Sequence, residues 1–574
     1  MNVKTSLEMS KDIHKPEQLI TEHIDIWTNS ILAKSTSGRG SSKKYELYGI
    51  TKLRELILEL AVRGKLVPQD ANDEPASVLL EKIAAEKAHL IENGKVKKNK
   101  SLPKISNDEK WFSLPSGWKW VRFGELFQVK SGNNLSKSKM KDGDIPVFGG
   151  NGITGYHNES NVGKSTIVIG RVGYYCGSVH LTPPEAWITD NAFFTTYDEK
   201  ILFQDFVIWL LKTIDLQANT SSTAQPVISG SKIYPIVIPL PPIEEQKRIV
   251  AKVDELMLLC DQLEQQTEDS IEAHATLVEV LLATLTDSVD ADELAQNWAR
   301  IADHFDSLFT TEQSIEALKQ TVLQLAVMGK LVPQNPNDEP ASVLLEKIAK
   351  EKEQLIKEKK IKKTKILDEV TEEEKAYKLP LEWEWGRLGR LAIKLTDGSH
   401  NPPKDSGKGY PMLSGQNINF GLIDFDNPSR YVDTLGFDKE NQRTAIKPND
   451  VLLTIVGSIG RSAVVPEDAP KFVLQRSVAV IDTTLIPEYL IIYLAAPVSL
   501  NYYNENAKGT AQKGIYLGQL SLMPIAIPPL AEQTRIVAKI DELMAICDHL
   551  KVKLQQSQET QVQLTDALVD RALG

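Results

Sequence analysis

Cysteine is scarce in this chain of 574 residues, which contains only Cys176, Cys260 and Cys547. Three scattered cysteines cannot form a disulfide framework, and none lies in a CxxC or Cys/His spacing that suggests a zinc site. We therefore interpret all three as reduced and structural. Cys260 and Cys547 lie in similar helical segments, where a free thiol packs as a small hydrophobic group.

Long apolar segments are also missing, because no run approaches the roughly 18 residues that a membrane-spanning helix requires. The first residues, MNVKTSLEMSKDIHKPEQ, have neither a basic start followed by an apolar core nor a small-residue cleavage site. The sequence therefore predicts a cytoplasmic protein without a membrane segment. Its length predicts two to four domains.

Motifs for catalysis are absent or incomplete. Gly163-Lys164-Ser165-Thr166 resembles a phosphate-binding loop, but Asn158 stands where the first glycine belongs and the following TIVIG predicts a strand. Asn401-Pro402-Pro403-Lys404 resembles the motif with which amino-methyltransferases stack an aromatic residue on a flipped base, and Lys404 cannot stack in that way. No HExxH, GxSxG or carboxylate cluster stands out. We predict no catalytic residue, cofactor or metal site in this chain.

Positive charge is not in excess, since the net charge is −11. Residues 111–242 hold 11 Lys+Arg and 10 Asp+Glu, and residues 379–529 hold 14 and 15, so the whole acidic excess lies outside these two segments. Both segments are near neutral and can carry local basic loops, whereas strong non-specific affinity for nucleic acid is excluded.

Two internal repeats dominate the rest of the sequence. Residues 60–81, LAVRGKLVPQDANDEPASVLLE, return 265 positions later as LAVMGKLVPQNPNDEPASVLLE, and residues 241–263, PPIEEQKRIVAKVDELMLLCDQL, return 287 positions later as PPLAEQTRIVAKIDELMAICDHL. The pairs Trp118, Trp120 and Trp383, Trp385 keep the first offset. The second copy thus has 22 additional residues, and the interiors of the two copies show little similarity. This pattern predicts two variable domains in one repeated frame.

The apolar residues of the 241–263 segment and of its copy follow a 4, 3, 4, 3 spacing, which predicts helices that pair with another helix. Helices are predicted at 50–63, 76–93, 204–217, 244–284, 289–329, 341–360, 487–507 and 532–572. Short runs rich in Val, Ile and aromatic residues between Gly, Asn and Pro predict strands and turns in the interiors, and the Gly170, Gly173, Gly457 and Gly460 positions are interpreted as turns. The predicted fold class is α+β, with two mixed α/β domains. The predicted boundaries are 1–110 (helical region), 111–242 (first variable domain), 243–378 (central helical spacer), 379–529 (second variable domain) and 530–574 (last spacer helix).

Loops of the variable domains combine polar, basic and aromatic residues with glycine, a composition typical of contacts with base edges and phosphates. Each such residue is also compatible with an ordinary solvated loop. The candidates for DNA contact are Lys130, Asn133, Asn134, Asn151, Tyr156, His157, Arg171, Tyr174, Asn191, Thr223, Gln225, Ser399, His400, Asn401, Gln416, Asn417, Ser458, Arg461, Gln475, Arg476, Lys508, Thr510 and Gln512.

The two copies of LAVxGKLVPQ, of W-x-W and of PPxxEQxRIVAKxDELM around dissimilar interiors resemble the specificity subunits of type I restriction-modification systems. The leader GRGSSKKYELYGITKLRELILELAVRGKLVPQ is similar to the branch of that family with an extended N-terminal conserved region. The resemblance covers nearly the whole chain.

This resemblance implies a non-catalytic, DNA-binding subunit with two target-recognition domains, each reading one half of a bipartite, asymmetric target in double-stranded DNA. The two spacer helices would form an antiparallel coiled coil, relate the two copies by a pseudo-twofold axis, set the distance between the half-sites and recruit other subunits. The implied partners are two methyltransferase subunits and restriction subunits. S-adenosylmethionine, ATP and Mg2+ would be bound by those partners.

Two other functions stay open on the residues alone. A fused methyltransferase-specificity polypeptide would require methyl-donor and target-base motifs that we do not find. A scaffold that binds only proteins would use the same repeats without any contact to DNA.

Overall fold

The computed structural model describes residues 16–33, 45–92, 102–173, 175–218, 226–289, 291–361, 367–509 and 512–574, and the chain forms two compact units. The first unit is Met1–Ser270 with Ser557–Gly574, and the second is Ile271–Gln556. Each unit thus holds the first part of one long helix and the last part of the other, the order predicted for antiparallel helices. The predicted α+β class is confirmed by helices and sheets in both units.

The first unit begins with helices that bury large apolar side chains. Leu53 and Ile57 follow helical spacing on a buried face, and Trp27 is fully buried. A side chain at Gly49 would lie 2.3 Å from the Trp27 carbonyl oxygen, so glycine permits this close approach. The elements are α1 (Pro16–Thr21), α2 (Ile24–Asn29), β1 (Leu32–Ala33), β2 (Tyr45–Glu46), α3 (Tyr48–Val62) and α4 (Ala76–Glu92).

The first sheet domain follows. Its elements are β3 (Lys119–Arg122), α5 (Phe123–Leu126), β4 (Gln128–Ser131), β5 (Ile145–Gly149), β6 (Gly152–His157), β7 (Ile167–Gly170), β8 (Val179–Leu181), β9 (Trp187–Ile188), β10 (Ala192–Thr196), α6 (Gln204–Thr213), α7 (Gly230–Ile233) and β11 (Val237–Leu240). The strands form sheets of order β4-β10-β7-β8, β6-β5-β9 and β11-β3.

Helix α8 (Ile243–Asp287) leaves this domain directly after Pro241-Pro242. Acidic Glu244 and Glu245 in its first turn suit the positive end of the helix dipole. The predicted apolar seam is confirmed, because Ile249, Val253, Leu256, Cys260 and Leu263 are all buried.

The second unit continues with α9 (Ala291–Asp303), α10 (Phe305–Leu308), α11 (Glu312–Val327) and α12 (Ala341–Lys357). The prediction of one helix over 289–329 is wrong. The chain leaves the helical conformation around His304 and again at Phe309, and Thr311 starts a new helix by accepting a hydrogen bond from the Ser314 amide at 3.0 Å. Capping by Thr and Ser thus overrides the continuous apolar pattern.

The second sheet domain and last helix follow: β12 (Glu384–Arg387), α13 (Leu388–Leu391), β13 (Ala392–Asp397), β14 (Tyr410–Leu413), β15 (Ile418–Asn419), β16 (Leu422–Ile423), β17 (Arg430–Val432), α14 (Thr434–Thr444), β18 (Val451–Thr454), β19 (Ser462–Val464), β20 (Val473–Leu474), β21 (Val478–Thr483), α15 (Pro487–Ala495), α16 (Pro497–Asn506), α17 (Leu517–Leu522), β22 (Pro524–Ile527) and α18 (Leu530–Leu573). The predicted helix 487–507 is two helices, since Ala496 is extended before Pro497.

The two sheet domains share one topology despite their dissimilar sequences. The second domain has sheets of order β13-β21-β18-β19, β17-β14-β20 and β12-β22, strand for strand the order of the first. In both, the central strand of the three-stranded sheet pairs with one antiparallel and one parallel neighbour. The second domain has two additions: the two-stranded sheet β15-β16 lies between β14 and β17, and α14 joins β17 to β18, whereas residues 158–166 join β6 to β7 without a helix. Helix α14 therefore accounts for part of the 22 additional residues of the second copy.

The repeated frame is built from repeated contacts. Buried Glu245 accepts hydrogen bonds from Trp118 Nε1 at 2.9 Å and from Gln69 Nε2 at 2.6 Å. In the second unit, buried Glu532 accepts equivalent bonds from the Trp383 indole at 3.0 Å and the Gln334 amide at 2.7 Å. Burial raises the pKa of both carboxyls. This contact explains why both copies have a tryptophan at this position: its indole ties the sheet domain to its spacer helix.

Arg122 is a second repeated anchor. Its buried guanidinium binds Glu109 and donates to the carbonyl oxygens of Pro103, Lys104 and Pro235. The hydrogen bonds from Arg122 hold the pKa of Glu109 at about 2. Arg387 and Glu374 repeat the pair in the second unit, where the pKa of Glu374 is also about 2.

The C-terminal ends of the long helices are capped by equivalent lysines. Lys65 Nζ donates to the Leu573 carbonyl oxygen at 2.6 Å, and Lys330 Nζ donates to the Thr286 carbonyl oxygen at 2.6 Å. A cation there satisfies an orphan carbonyl and suits the helix dipole. The two lysines are 265 positions apart and the two carbonyl groups are 287 positions apart. The contact therefore joins a position repeated at the first offset to a position repeated at the second offset in both copies.

We predict that Glu245→Ala lowers the free energy of unfolding by about 2 kcal/mol, because the Trp118 indole and the Gln69 amide lose their buried acceptor. Thermal unfolding of the purified chain measures the change. Glu245→Gln is the matched control, since it keeps an acceptor for the indole and should lose less stability than the alanine variant. Equal stability of the alanine variant and the parent would contradict this role.

The three cysteines are buried and free. Burial raises the pKa of the Cys260 thiol to about 11 and also raises that of Cys176 and Cys547, which disfavours the reactive thiolate. Their interpretation as structural residues agrees with this. In the part of the chain that the structure describes, no helix combines the length and apolar character needed to cross a membrane.

Candidate nucleic-acid interface

In the first sheet domain several loops meet where the strands of the main sheet end. The Gly132 amide donates to the Ala192 carbonyl at 3.1 Å, and the Arg171 amide donates to the Asn191 carbonyl at 2.9 Å. The Gly173 amide reaches the Pro226 carbonyl at 3.2 Å. We call this surface the first loop edge; it comprises residues 132–134, 150–151, 171–173, 189–191 and 226–227.

The second sheet domain repeats these bonds with different residues. The Gly398 amide donates to the Val478 carbonyl at 3.0 Å, the Ile455 amide to the Ser477 carbonyl at 2.9 Å, and the Gly457 amide to the Lys513 carbonyl at 3.0 Å. The second loop edge comprises residues 398–401, 414–416, 455–461, 475–477, 508–509 and 512–514. The same pattern of backbone hydrogen bonds thus presents two different sets of side chains.

Glycine is required at one equivalent position of both edges. A side chain at Gly132 would lie 2.1 Å from the Ile188 carbonyl oxygen, and one at Gly398 would lie 2.3 Å from the Leu474 carbonyl oxygen. The loop that follows β4 or β13 can therefore cross the neighbouring backbone only with glycine. The shared glycine after each strand is a signal in the sequence that aligns the two edges.

Most predicted contact residues of the first domain lie on or beside the first loop edge. Arg171 is half-buried, donates from Nη1 to Ser131 Oγ at 3.2 Å and lies 5.4 Å from the Phe193 ring centroid. Asn134 Nδ2 donates to Asp190 Oδ2 at 3.0 Å. The exposed candidates are Lys130, Asn133, Asn134, Asn151 and Asn191.

The second loop edge likewise holds most candidates of its domain. Buried Thr454 organises the turn after β18, because its Oγ1 accepts a hydrogen bond from the Arg461 amide at 2.9 Å. Half-buried Gln475 donates from Nε2 to Ser429 Oγ at 2.9 Å. The exposed candidates are His400, Asn401, Gln416, Ser458, Arg461, Arg476, Lys508 and Gln512.

Four candidates are misplaced for a surface contact. His157 is buried, with Nδ1 accepting a hydrogen bond from the Lys141 amide at 3.0 Å. Asn417 is buried and donates to the carbonyls of Asp424 and Asn427. Ser399 is also buried, while exposed Tyr156 lies near the end of the β5–β6 hairpin opposite to the first loop edge. We correct these four expectations, since three of the side chains are buried and the fourth residue lies at the far end of its hairpin.

Four further candidates, Tyr174, Thr223, Gln225 and Thr510, lie outside the described residues. The glycine interpretation holds for Gly173, Gly457 and Gly460, which have positive φ values, whereas Gly170 is the last residue of β7. Asp397 and Arg443 were not among the candidates, although both lie next to His400. Only the pairing of an inserted helix with a strand end brings them together.

Comparison with known proteins agrees with this architecture. Residues 115–273 and 380–558 each match the family model described as the type I restriction modification DNA specificity domain. The chain is 40% identical over 597 residues to the type I restriction enzyme EcoAI specificity subunit of Escherichia coli, covering 97% of this chain and 100% of that protein. It is 38% identical over 601 residues to the EcoEI specificity subunit of Escherichia coli, with the same coverage.

A solved structure of an HsdS subunit from Thermoanaerobacter tengcongensis aligns with 81% of this chain and 98% of that chain, at 18% identity and a TM-score of 0.35.

Two sheet domains of one topology, each with a polar loop edge and a spacer helix, define a protein with two DNA specificity domains. The chain belongs to the family of type I restriction-modification specificity subunits. It is a non-catalytic subunit with two DNA specificity domains.

Proposed function

We propose that each sheet domain binds one half of a bipartite, asymmetric target in double-stranded DNA through its loop edge. The recognition domains would span residues 111–242 and 379–529. One observation carries this proposal: the two edges have the same pattern of backbone hydrogen bonds but unrelated side chains. Equivalent placement with different donors and acceptors is what two unlike half-sites require.

The exposed side chains of both edges supply suitable chemistry. Amides such as Asn133 and Asn134 can pair with adenine, and guanidinium groups such as Arg171 and Arg461 can pair with guanine or phosphate. The near-neutral charge of both domains implies that the chain alone binds DNA weakly. Strong binding would therefore require partner subunits.

The helical regions 243–378 and 530–574 would hold the half-sites at a fixed separation and recruit those partners. Their acidic surface suits protein rather than phosphate, since the net charge of −11 lies outside the two recognition domains. We propose two methyltransferase subunits and restriction subunits as partners, which would bind S-adenosylmethionine, ATP and Mg2+. The assembly would act in the cytoplasm, where the DNA lies.

Mapping methylated bases in the source genome, with and without this gene, tests the proposal. We expect one asymmetric two-part motif to lose its methylation when the gene is deleted. A gel-shift titration with the methyltransferase subunits added should show selectivity for that motif. Binding without sequence preference in the complete complex would instead identify a scaffold that contacts only proteins.

A further inference from the structure

Helix α14 brings a further basic side chain to the second loop edge. Arg443 lies in its last turn, and its Nη2 donates to Asp397 Oδ1 at the end of strand β13. The other oxygen of this carboxylate, Oδ2, accepts a hydrogen bond from His400 Nε2 at 2.8 Å. One carboxylate therefore holds two cationic or polar groups that come from different elements.

The exposure of the three side chains differs in a way that suits binding. The Asp397 side chain is 10% exposed, whereas those of Arg443 and His400 are 42% and 52% exposed. A guanidinium has five N–H donors, and Asp397 is the only partner of Arg443 among the described residues. Arg443 thus keeps donors that no described residue accepts, and it shares its carboxylate with the imidazole of His400, which is next to exposed Asn401.

The C-terminal end of α14 is fixed in place. Lys394 Nζ donates to the Ala445 carbonyl oxygen and to Asp450 Oδ2, both at 2.8 Å. Lys394 and Asp397 belong to the same strand, so β13 holds the end of α14 at two points. Arg443 is therefore positioned by the fold before any ligand binds, which lowers the entropy cost of a contact.

The first domain has an equivalent arginine contact at the same strand end. Ser131 and Asp397 are equivalent, because each precedes the glycine of its edge and each pairs with the second residue of the neighbouring strand, Phe193 or Ala479. Arg171 donates to Ser131 as Arg443 does to Asp397. Both edges thus place a guanidinium at the same strand end, from a loop in one domain and from an inserted helix in the other.

We propose that Arg443 contacts the DNA of the second half-site, as Arg171 does for the first, with His400 beside it and Asp397 as the positioning residue. This inference rests on the proposed function. It assigns the additional helix of the second domain a role in DNA recognition, since the position equivalent to Arg171 is Ile455 and α14 supplies the guanidinium at that strand end instead.

The test uses the full chain assembled with its methyltransferase subunits and duplexes that carry the motif mapped in the source genome. We expect Arg443→Ala to weaken binding to that motif about 10-fold, which is typical of one lost arginine contact. If the contact is to a base, discrimination at one base pair of the second half-site falls. If it is to phosphate, affinity falls for all sequences and the salt slope decreases by about 1. Discrimination within the first half-site should not change in either case.

Lys447→Ala is the matched control. Lys447, whose side chain is 56% exposed, forms an ion pair with the largely buried carboxylate of Asp482 in the same domain, toward the other end of β13, and its loss should leave binding unchanged. Thermal unfolding of each variant complex shows whether it is folded. Binding and selectivity of Arg443→Ala equal to those of the parent would overturn the proposal, whereas a parent complex without a bipartite preference would overturn the proposed function itself.

Asp397 is tested by a double-mutant cycle. We expect Asp397→Asn to reduce discrimination in the second half-site severalfold, and to add little in the Arg443→Ala background, because its effect passes through the arginine and the neighbouring histidine. Additive losses, or equal loss at both half-sites, would show that Asp397 only stabilises the fold.

Discussion

Exchanging residues 114–240 for the same domain of another specificity subunit should replace one half of the methylated motif and leave the other half and the spacing unchanged. The reason is that the backbone hydrogen bonds that hold each loop edge lie within its own domain. The incoming domain must keep equivalents of Trp118 and Arg122, since Glu245 and Glu109 lie outside the exchanged segment and depend on them. Methylation sequencing of cells that express the chimera measures the result.

The reciprocal exchange of the second recognition domain is the control and should change only the other half of the motif. A chimera that lacks the tryptophan should be less stable, because buried Glu245 loses a hydrogen bond. Altered recognition at both halves after one exchange would contradict independent binding by the two domains.

Lengthening both spacer helices by one heptad should lengthen the unspecified part of the target. The boundary between the two compact units falls at residues 270–271 in α8 and 556–557 in α18, which lie 286 residues apart and so within one residue of the repeat offset of 287. Insertions there cut through no contact inside either unit. Seven residues add about 10 Å of helix and nearly two full turns, so the helix face is kept.

At 3.4 Å per base pair this length corresponds to about three base pairs. We expect loss of binding to the original motif and binding to duplexes with about three additional base pairs, measured by gel shift with the methyltransferase subunits on a series of spacer lengths. A variant with seven residues replaced at the same boundary, without a change of length, is the control. Unchanged binding to the original spacing would show that the helices do not set the distance.

The repeated frame could be predicted from the residues because its signals are local or nearly identical between copies. The seams of α8 and α18 follow from a spacing of three and four residues, and both are buried as expected. The two offsets also locate the second copy of one buried contact. Trp383 lies 265 positions after Trp118, Glu532 lies 287 positions after Glu245, and the hydrogen bond between the members of each pair is the same. The break at His304 was missed, because helix ends depend on capping bonds that the apolar pattern does not show.

The common topology of the two interiors could not be predicted, since strand order depends on backbone bonds between distant segments and leaves little trace in the side chains. The sequence also did not show which candidate side chains are buried. Tyr156 is exposed and His157 is buried, because neighbours on a strand face opposite sides. The residues alone indicate a duplicated frame around two variable domains. Only tertiary packing decides that β13 and α14 meet, so that Asp397 and Arg443, 46 positions apart, form one site.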